Sequence, residues 1–235
     1  GLLLGPAAVA LLASASPSRV LLFLAILPLP ALLFCILRLA KDQPKAEASA
    51  TQLSLRDPRL ARPILIAMLS MTAVGIAQIV IGFVALDRLS LSETAALRLA
   101  GSALTAVGIS LIIAQLVVNR LGWAPTMLIA IGGTIAAIGF LGAAAAPTQL
   151  TLILSYACAG FGAGWVFPGI NAFAANAVTD SEQGRAAGAV SLAMGLGAML
   201  GPLLGGIAYQ SSAVLPFLIA AGAFTAAVLL SRSTA

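Results

Sequence analysis

Three stretches of this chain carry no charged residue: Pro63 to Leu86, Leu121 to Thr179 and Ala186 to Ser231. Each reaches or exceeds the roughly 20 apolar residues that carry an α-helix across a hydrocarbon layer. Charged residues make up roughly 25% of an ordinary soluble domain but only 8% of this chain, while 61% of it is hydrophobic. Water is therefore excluded as its solvent. The second and third stretches are long enough that each must fold back at least once. Polar and helix-breaking residues mark the turning points, Pro147-Thr148-Gln149 in one and Tyr209-Gln210-Ser211-Ser212 in the other.

Only helices and closed β-barrels satisfy backbone polar groups inside lipid. The period-two alternation of a barrel strand is absent, and Ala, Leu and Gly dominate. The chain therefore reads as an all-α integral membrane protein, a multi-span helical bundle. Seven full spans are expected at 18–39, 62–87, 91–119, 123–145, 148–177, 184–209 and 212–231, with a partial one at 1–13. Ser90 and Glu93, at capping-box spacing, mark the start of the span 91–119. No Met or basic segment precedes Gly1 and further apolar spans follow, so the start reads as the inside of a helix rather than a secretory signal. Cys35 and Cys158 lie deep in apolar spans and the chain has no His, so they read as small buried hydrophobes and no metal site or cofactor is expected.

The formal net charge of +5 raises the possibility of a nucleic-acid partner, but its placement speaks against one. Arg38, Lys41, Lys45, Arg56, Arg59 and Arg62 cluster in one polar connecting segment instead of lining a stacking surface. If that linker is cytoplasmic, counting spans places Arg120, Arg185 and Arg232 on the same side, with Arg19, Arg88 and Arg98 opposite or nearby. This distribution satisfies the positive-inside rule and predicts a cytoplasmic C-terminus.

An internal repeat organises the spans. Gly1-Leu2-Leu3-Leu4-Gly5-Pro6 matches Gly197-Ala198-Met199-Leu200-Gly201-Pro202, and Val20-Leu21-Leu22-Phe23 echoes Val214-Leu215-Pro216-Phe217. The period is six spans. Residues 1–40 then supply the last two helices of a first bundle, the first of them truncated, 41–61 form the linker, and 62–235 make a complete second six-helix bundle. Four upstream spans are expected to be missing. Same-direction repetition of two bundles is a transporter pattern.

Gly197, Gly201 and Gly205, spaced by four, strip one helix face of side chains, with Pro202 and Gly206 beside them. That face suits close helix approach, and Pro202 permits a bend, so packing and gating are both open roles. The string Gly195 to Gly206 resembles the Gly-Pro-x-x-Gly-Gly signature of the major facilitator superfamily. Gly160-Phe161-Gly162-Ala163-Gly164-Trp165-Val166-Phe167-Pro168 resembles its tenth span, and Gly184-Arg185-Ala186-Ala187-Gly188 the start of its eleventh. Gly5-Pro6 is similar to the fifth-span motif of its drug and proton antiporters, although Val9 and Ala10 stand where two glycines are usual. Asn119-Arg120-Leu121-Gly122 resembles a degenerate copy of the family's Asp-Arg-x-Gly gating loop, with Asn119 in place of the acid and Arg120 equally readable as a positive-inside anchor. The resemblance covers nearly the whole chain. It implies a major-facilitator-like second half plus the last two helices of the first, in a bacterial-type inner or plasma membrane.

Polar groups inside spans are functional candidates because the membrane penalises them. Arg98 is the one ionisable residue well inside a span, where it either snorkels outward, contacts substrate or an anion, or pairs with Asp87. Gln78, Gln115, Tyr156, Asn171 and Asn176 are the uncharged candidates. In the resembled fold the first, second, fourth and fifth spans of this half line the central cavity, which would bring Gln78, Gln115, Tyr156 and Asn171 toward substrate. No Asp or Glu sits mid-membrane here, so the proton site that the resemblance implies is expected in the missing helices.

The expected function is therefore alternating-access movement of a small molecule, with lipid, substrate and protons as partners. With few amides and only two Trp and two Tyr, export of drug-like or amphiphilic compounds is preferred over uptake of sugars or polar metabolites. A non-transporting membrane scaffold or sensor is the alternative of another class. A membrane enzyme is disfavoured, since no His, paired carboxylates or nucleophile motif form a catalytic set.

Overall fold

The computed structural model describes residues 25–26, 28–38 and 57–232, apart from the side chains at 31, 35–38 and 119. Gly5, Pro6, Val9, Ala10, most of the linker 41–61 and the Asn119 side chain thus lie outside the described residues. Helix α1 spans Leu29–Arg38. Six long helices follow: α2 Pro58–Phe83, α3 Glu93–Leu121, α4 Pro125–Ala145, α5 Gln149–Asn176, α6 Gln183–Ser211 and α7 Leu215–Arg232. All six are long and apolar enough to cross a bilayer, and no strand occurs among the described residues. The protein is a multi-span helical membrane bundle.

Local chemistry sets the helix ends. Asp57 caps α2 by accepting from Arg59 N at 2.9 Å, and Pro58 occupies the first turn, where a missing N–H costs nothing. Thr148 and Thr151 form a reciprocal capping box at the start of α5. Gly122 closes α3 at φ 59°, a left-handed conformation that glycine adopts without steric cost, and Pro125 opens α4 three residues later. The turns at 146–148 and 212–214 fall where Pro147-Thr148 and Ser211-Ser212 interrupt the apolar runs.

One boundary differs from expectation. The N-cap of α3 is Ser92, whose hydroxyl accepts from Ala95 N, and not Ser90. After α2 the chain makes a single π-helical turn, Val84–Arg88, and Leu91 N reaches back to Ala85 O. Ser90 itself turns the chain at φ 50°, and the helix starts two residues later.

α2 runs along both α6 and α7, α4 runs along α5 and α7, and α3 lies against α5 while meeting α2 only sparsely. Phe140 of α4 and Phe224 of α7 stack 5.9 Å apart in the core, and Tyr156 of α5 meets Phe217 of α7 edge-on at 6.3 Å. Three crossings are built on missing side chains. A Cβ at Gly201 would stand 2.6 Å from Thr72 O and 2.7 Å from Gly75 Cα, so α2 and α6 touch backbone to backbone. On α5, Gly162 abuts α4 at Ala136, while Gly164 abuts α3, where a Cβ would lie 2.6 Å from Ala114 Cβ. The alternating small residues of Gly160-Phe161-Gly162-Ala163-Gly164 thus let one helix approach two neighbours.

Candidate functional site

The sparse meeting of α2 and α3 leaves a recess between them, floored by α5. Its volume is about 170 Å³. Met71, Val74 and Gln78 line it from α2, Leu104, Val107 and Leu111 from α3, and Tyr156, Gly160, Ala163 and Phe167 from α5. The spacing by three and four on each helix means that one stripe of each faces the space. Phe140 and Phe224 close the deep end. Gly160 sets the depth, since a Cβ there would come within 3.0 Å of Val107 Cα.

Two of the five cavity candidates read from sequence meet here. Tyr156 is buried and its hydroxyl donates to Ala77 O at 2.8 Å, tying α5 to α2 beneath the recess. Gln78 stands one residue on from that carbonyl; it is exposed, and its amide has no partner among the described residues. The other three lie elsewhere. Arg98 and Gln115 are exposed on α3 away from the lining, and Arg98 forms no ion pair with Asp87. Asn171 is exposed on α5, where its amide donates to Phe167 O at 3.2 Å. No α6 residue lines the recess. The glycine face of α6 is spent on the crossing with α2.

Gly197 and Gly205 flank Gly201 in that crossing, against Met68 O and Ile76 Cα. Gly206 falls off it, since a Cβ there would meet nothing within 4 Å, whereas Pro202 is exposed yet rests its ring on α2, where a Cβ at Gly75 would stand 3.0 Å from Pro202 Cδ. Arg120 is exposed in the last turn of α3, where a cation complements the helix carbonyls. Cys158 is partly buried, its thiol directed at Ile135 O.

Two polar constellations were not anticipated. At one end of the bundle Arg59 bridges Asp57 and Glu182, and Glu182 in turn accepts from Thr179 N and Oγ1 at 3.0 and 2.9 Å. The Arg59 side chain, with its backbone N–H, holds the Asp57 carboxyl below the usual range. The Thr179-Asp180-Ser181-Glu182 spacing is a capping box that could have flagged Glu182. At the other end Arg88 donates to the carbonyls of Ala143 (3.3 Å), Ala144 (3.0 Å) and Ala146, at the open end of α4. Trp165 adds an internal tie, donating from Nε1 to Ala114 O at 3.0 Å.

Among the described residues no group of three or more His, Cys, Asp or Glu could hold a metal ion. The recess offers apolar and aromatic surface, one open amide and a way in between two helices, an arrangement suited to holding a small molecule. A comparison with curated proteins yields no match. The sequence model of the Major Facilitator Superfamily matches residues 64–233, a stretch that takes in all but the first turns of the six-helix bundle, and the chain therefore belongs to that family of secondary transporters.

Proposed function

We propose that this chain moves drug-like or amphiphilic compounds outward by alternating access, coupled to protons. Residues 62–235 act as one bundle that rocks against a second, to which residues 1–40 contribute. The observation that carries the proposal is the recess between α2 and α3, walled by hydrocarbon and aromatic rings with a single open amide at Gln78. A carrier of sugars would need more hydrogen-bonding groups than this to replace the water shed by hydroxyls. That no Asp or Glu lines the recess supports placing the proton-binding carboxylate in the partner bundle.

In the proposed orientation the linker 41–61 and the C-terminus are cytoplasmic. The Arg59–Glu182 pair supports the span count behind it, since it joins two segments that the count puts on one side. The Arg88 bonds to the end of α4 join two segments on the other.

The test uses the protein reconstituted in liposomes with an imposed proton gradient and a fluorescent amphiphile. Gradient-driven movement that stops when an uncoupler is added is the expected result. A protein that moves no solute under any gradient is a scaffold or sensor. Cysteines at Lys41 and Thr234 should label from the same side of the membrane, and labelling from opposite sides would discard the orientation.

A further inference from the structure

The recess has a chemical bias that goes beyond its apolar character. None of its lining residues carries a charge. Its two polar side chains differ in availability: the Tyr156 hydroxyl proton is committed to Ala77 O, whereas the Gln78 amide is open. Gln78 therefore presents one carbonyl acceptor and two N–H donors to anything that enters. An amide can satisfy a hydroxyl, a carbonyl or another amide, but it cannot neutralise a full charge.

Aromatic faces are the usual substitute for a carboxylate in holding cations. Here three of the four lining rings are engaged, and Phe167 alone has no ring partner among the described residues. Phe140 and Phe224 stack on one another, and Tyr156 packs against Phe217. An ammonium group brought into this space would lose its water and gain no counter-charge. At about 170 Å³ the recess is also smaller than the ~300–1,000 Å³ that encloses a whole drug-sized ligand. It fits one ring system with its attached polar group.

We propose that the recess between α2 and α3 selects uncharged molecules that carry a ring system and one polar end, held by Gln78, and rejects the ammonium cations of the same shape. The inference rests on the transport reading above only in taking the recess as the ligand site, and it adds the charge rule that the site imposes. Tyr156 is a positioning residue: it fixes the floor through Ala77 and so holds Gln78, its neighbour in sequence, at the rim.

Cysteine protection tests this directly in the full chain. In a background with Cys35→Ser and Cys158→Ser, Leu104→Cys places a thiol on the recess wall, and Ile112→Cys places one on the exposed face of α3 as a control for partition into the bilayer. N-ethylmaleimide labelling is followed in liposomes with naphthylmethanol or naphthylmethylammonium present. The alcohol should slow labelling at Leu104→Cys relative to Ile112→Cys, and the ammonium at equal concentration should not. Gln78→Leu should weaken the alcohol's protection about tenfold, the effect of leaving a buried polar end unpaired. Gln78→Glu should confer protection by the ammonium.

Equal or better protection by the ammonium in the parent overturns the proposal, as does undiminished protection by the alcohol in Gln78→Leu. Protection that persists in a protein moving no solute removes the transport reading and upholds the site. Solute movement without protection by either probe overturns the site and leaves transport standing.

Discussion

Arg59 and Glu182 face each other across 123 residues of chain, with Nη1 donating to Oε2 at 3.3 Å and Nη2 to Oε1 at 3.1 Å. The pair is two-pronged, the geometry in which a guanidinium and a carboxylate bind best. Only 10% of the Glu182 side chain is exposed, against 46% for Arg59. The consequence is mechanical: the first turn of α2 and the turn between α5 and α6 are held as one piece. A bundle that rocks as a body needs such ties at its ends.

Exchange of the two charges tests the tie. Arg59→Glu and Glu182→Arg alone should each lower the thermal stability of the detergent-solubilised protein, and the double exchange should recover part of the loss. Additive losses in the double variant would show that the two side chains act independently. High salt should shrink the effect, because Arg59 is half in solvent.

The cap at Asp57 predicts a pH dependence of definite sign. Hydrogen bonds from the Arg59 side chain and backbone lower the folded-state value of this carboxyl beneath its ordinary 3.8. A group depressed on folding contributes stability above its unfolded value and loses it as pH falls through the folded one. Asn caps a helix about as well as Asp but does not titrate. The melting temperature of the parent should therefore exceed that of Asp57→Asn near neutral pH, with the gap closing as pH drops below 3.8. A gap constant across that window would mean that the charge of Asp57 contributes nothing.

What the sequence disclosed and what it withheld follow from the range of the interactions. The spans were legible because a bilayer imposes one length and one polarity on every helix: the expected 123–145 and 148–177 become Pro125–Ala145 and Gln149–Asn176. Gly197, Gly201 and Gly205 could be read as a bare helix face because their spacing is local, whereas the identity of that face's partner, Met68 to Ile76 on α2, was not. Cavity residues were read from polarity and from the spans that line the cavity in the resembled fold. Of those residues Gln78 and Tyr156 line the recess, while Arg98, Gln115 and Asn171 stand at outer faces or beside their own helix carbonyl, where a polar side chain in a span is equally tolerated. The start of α3 was misplaced by two residues because a π-turn depends on the pairing of Leu89 and Leu91 with Val84 and Ala85, which no cap spacing encodes.

Arg88 shows how a charged residue beside an apolar run can be structural. Its guanidinium donates to the carbonyls of Ala143, Ala144 and Ala146 at the end of α4, where Ala143 O also takes the N–H of Ala146. Arg88→Gln should destabilise the bundle by about 1.5–3 kcal/mol, the usual range for hydrogen bonds to a charged group. Arg88→Lys should recover little of this, because one ammonium cannot span three carbonyls as a planar fork does. Equilibrium unfolding in mixed micelles gives the difference, and a Lys variant as stable as the parent would reduce Arg88 to a simple charge at the interface.

The crossing of α2 and α6 makes the sharpest contrast available in this fold, between two glycines five residues apart. At Gly201 a Cβ would press on Thr72 O at 2.6 Å and on Gly75 Cα at 2.7 Å, and both are backbone atoms that cannot rotate away. Gly201→Val therefore has to part the two helices, at a cost of about 1–3 kcal/mol from overpacking. At Gly206 nothing lies within 4 Å, so Gly206→Ala gains helix propensity, up to about 1 kcal/mol, with no steric charge against it. Unfolding midpoints should thus move in opposite directions for two substitutions in one glycine-rich motif. If instead both variants lost stability equally, the motif would be acting through helix flexibility at Gly205-Gly206, and close approach to α2 would not be what these glycines supply.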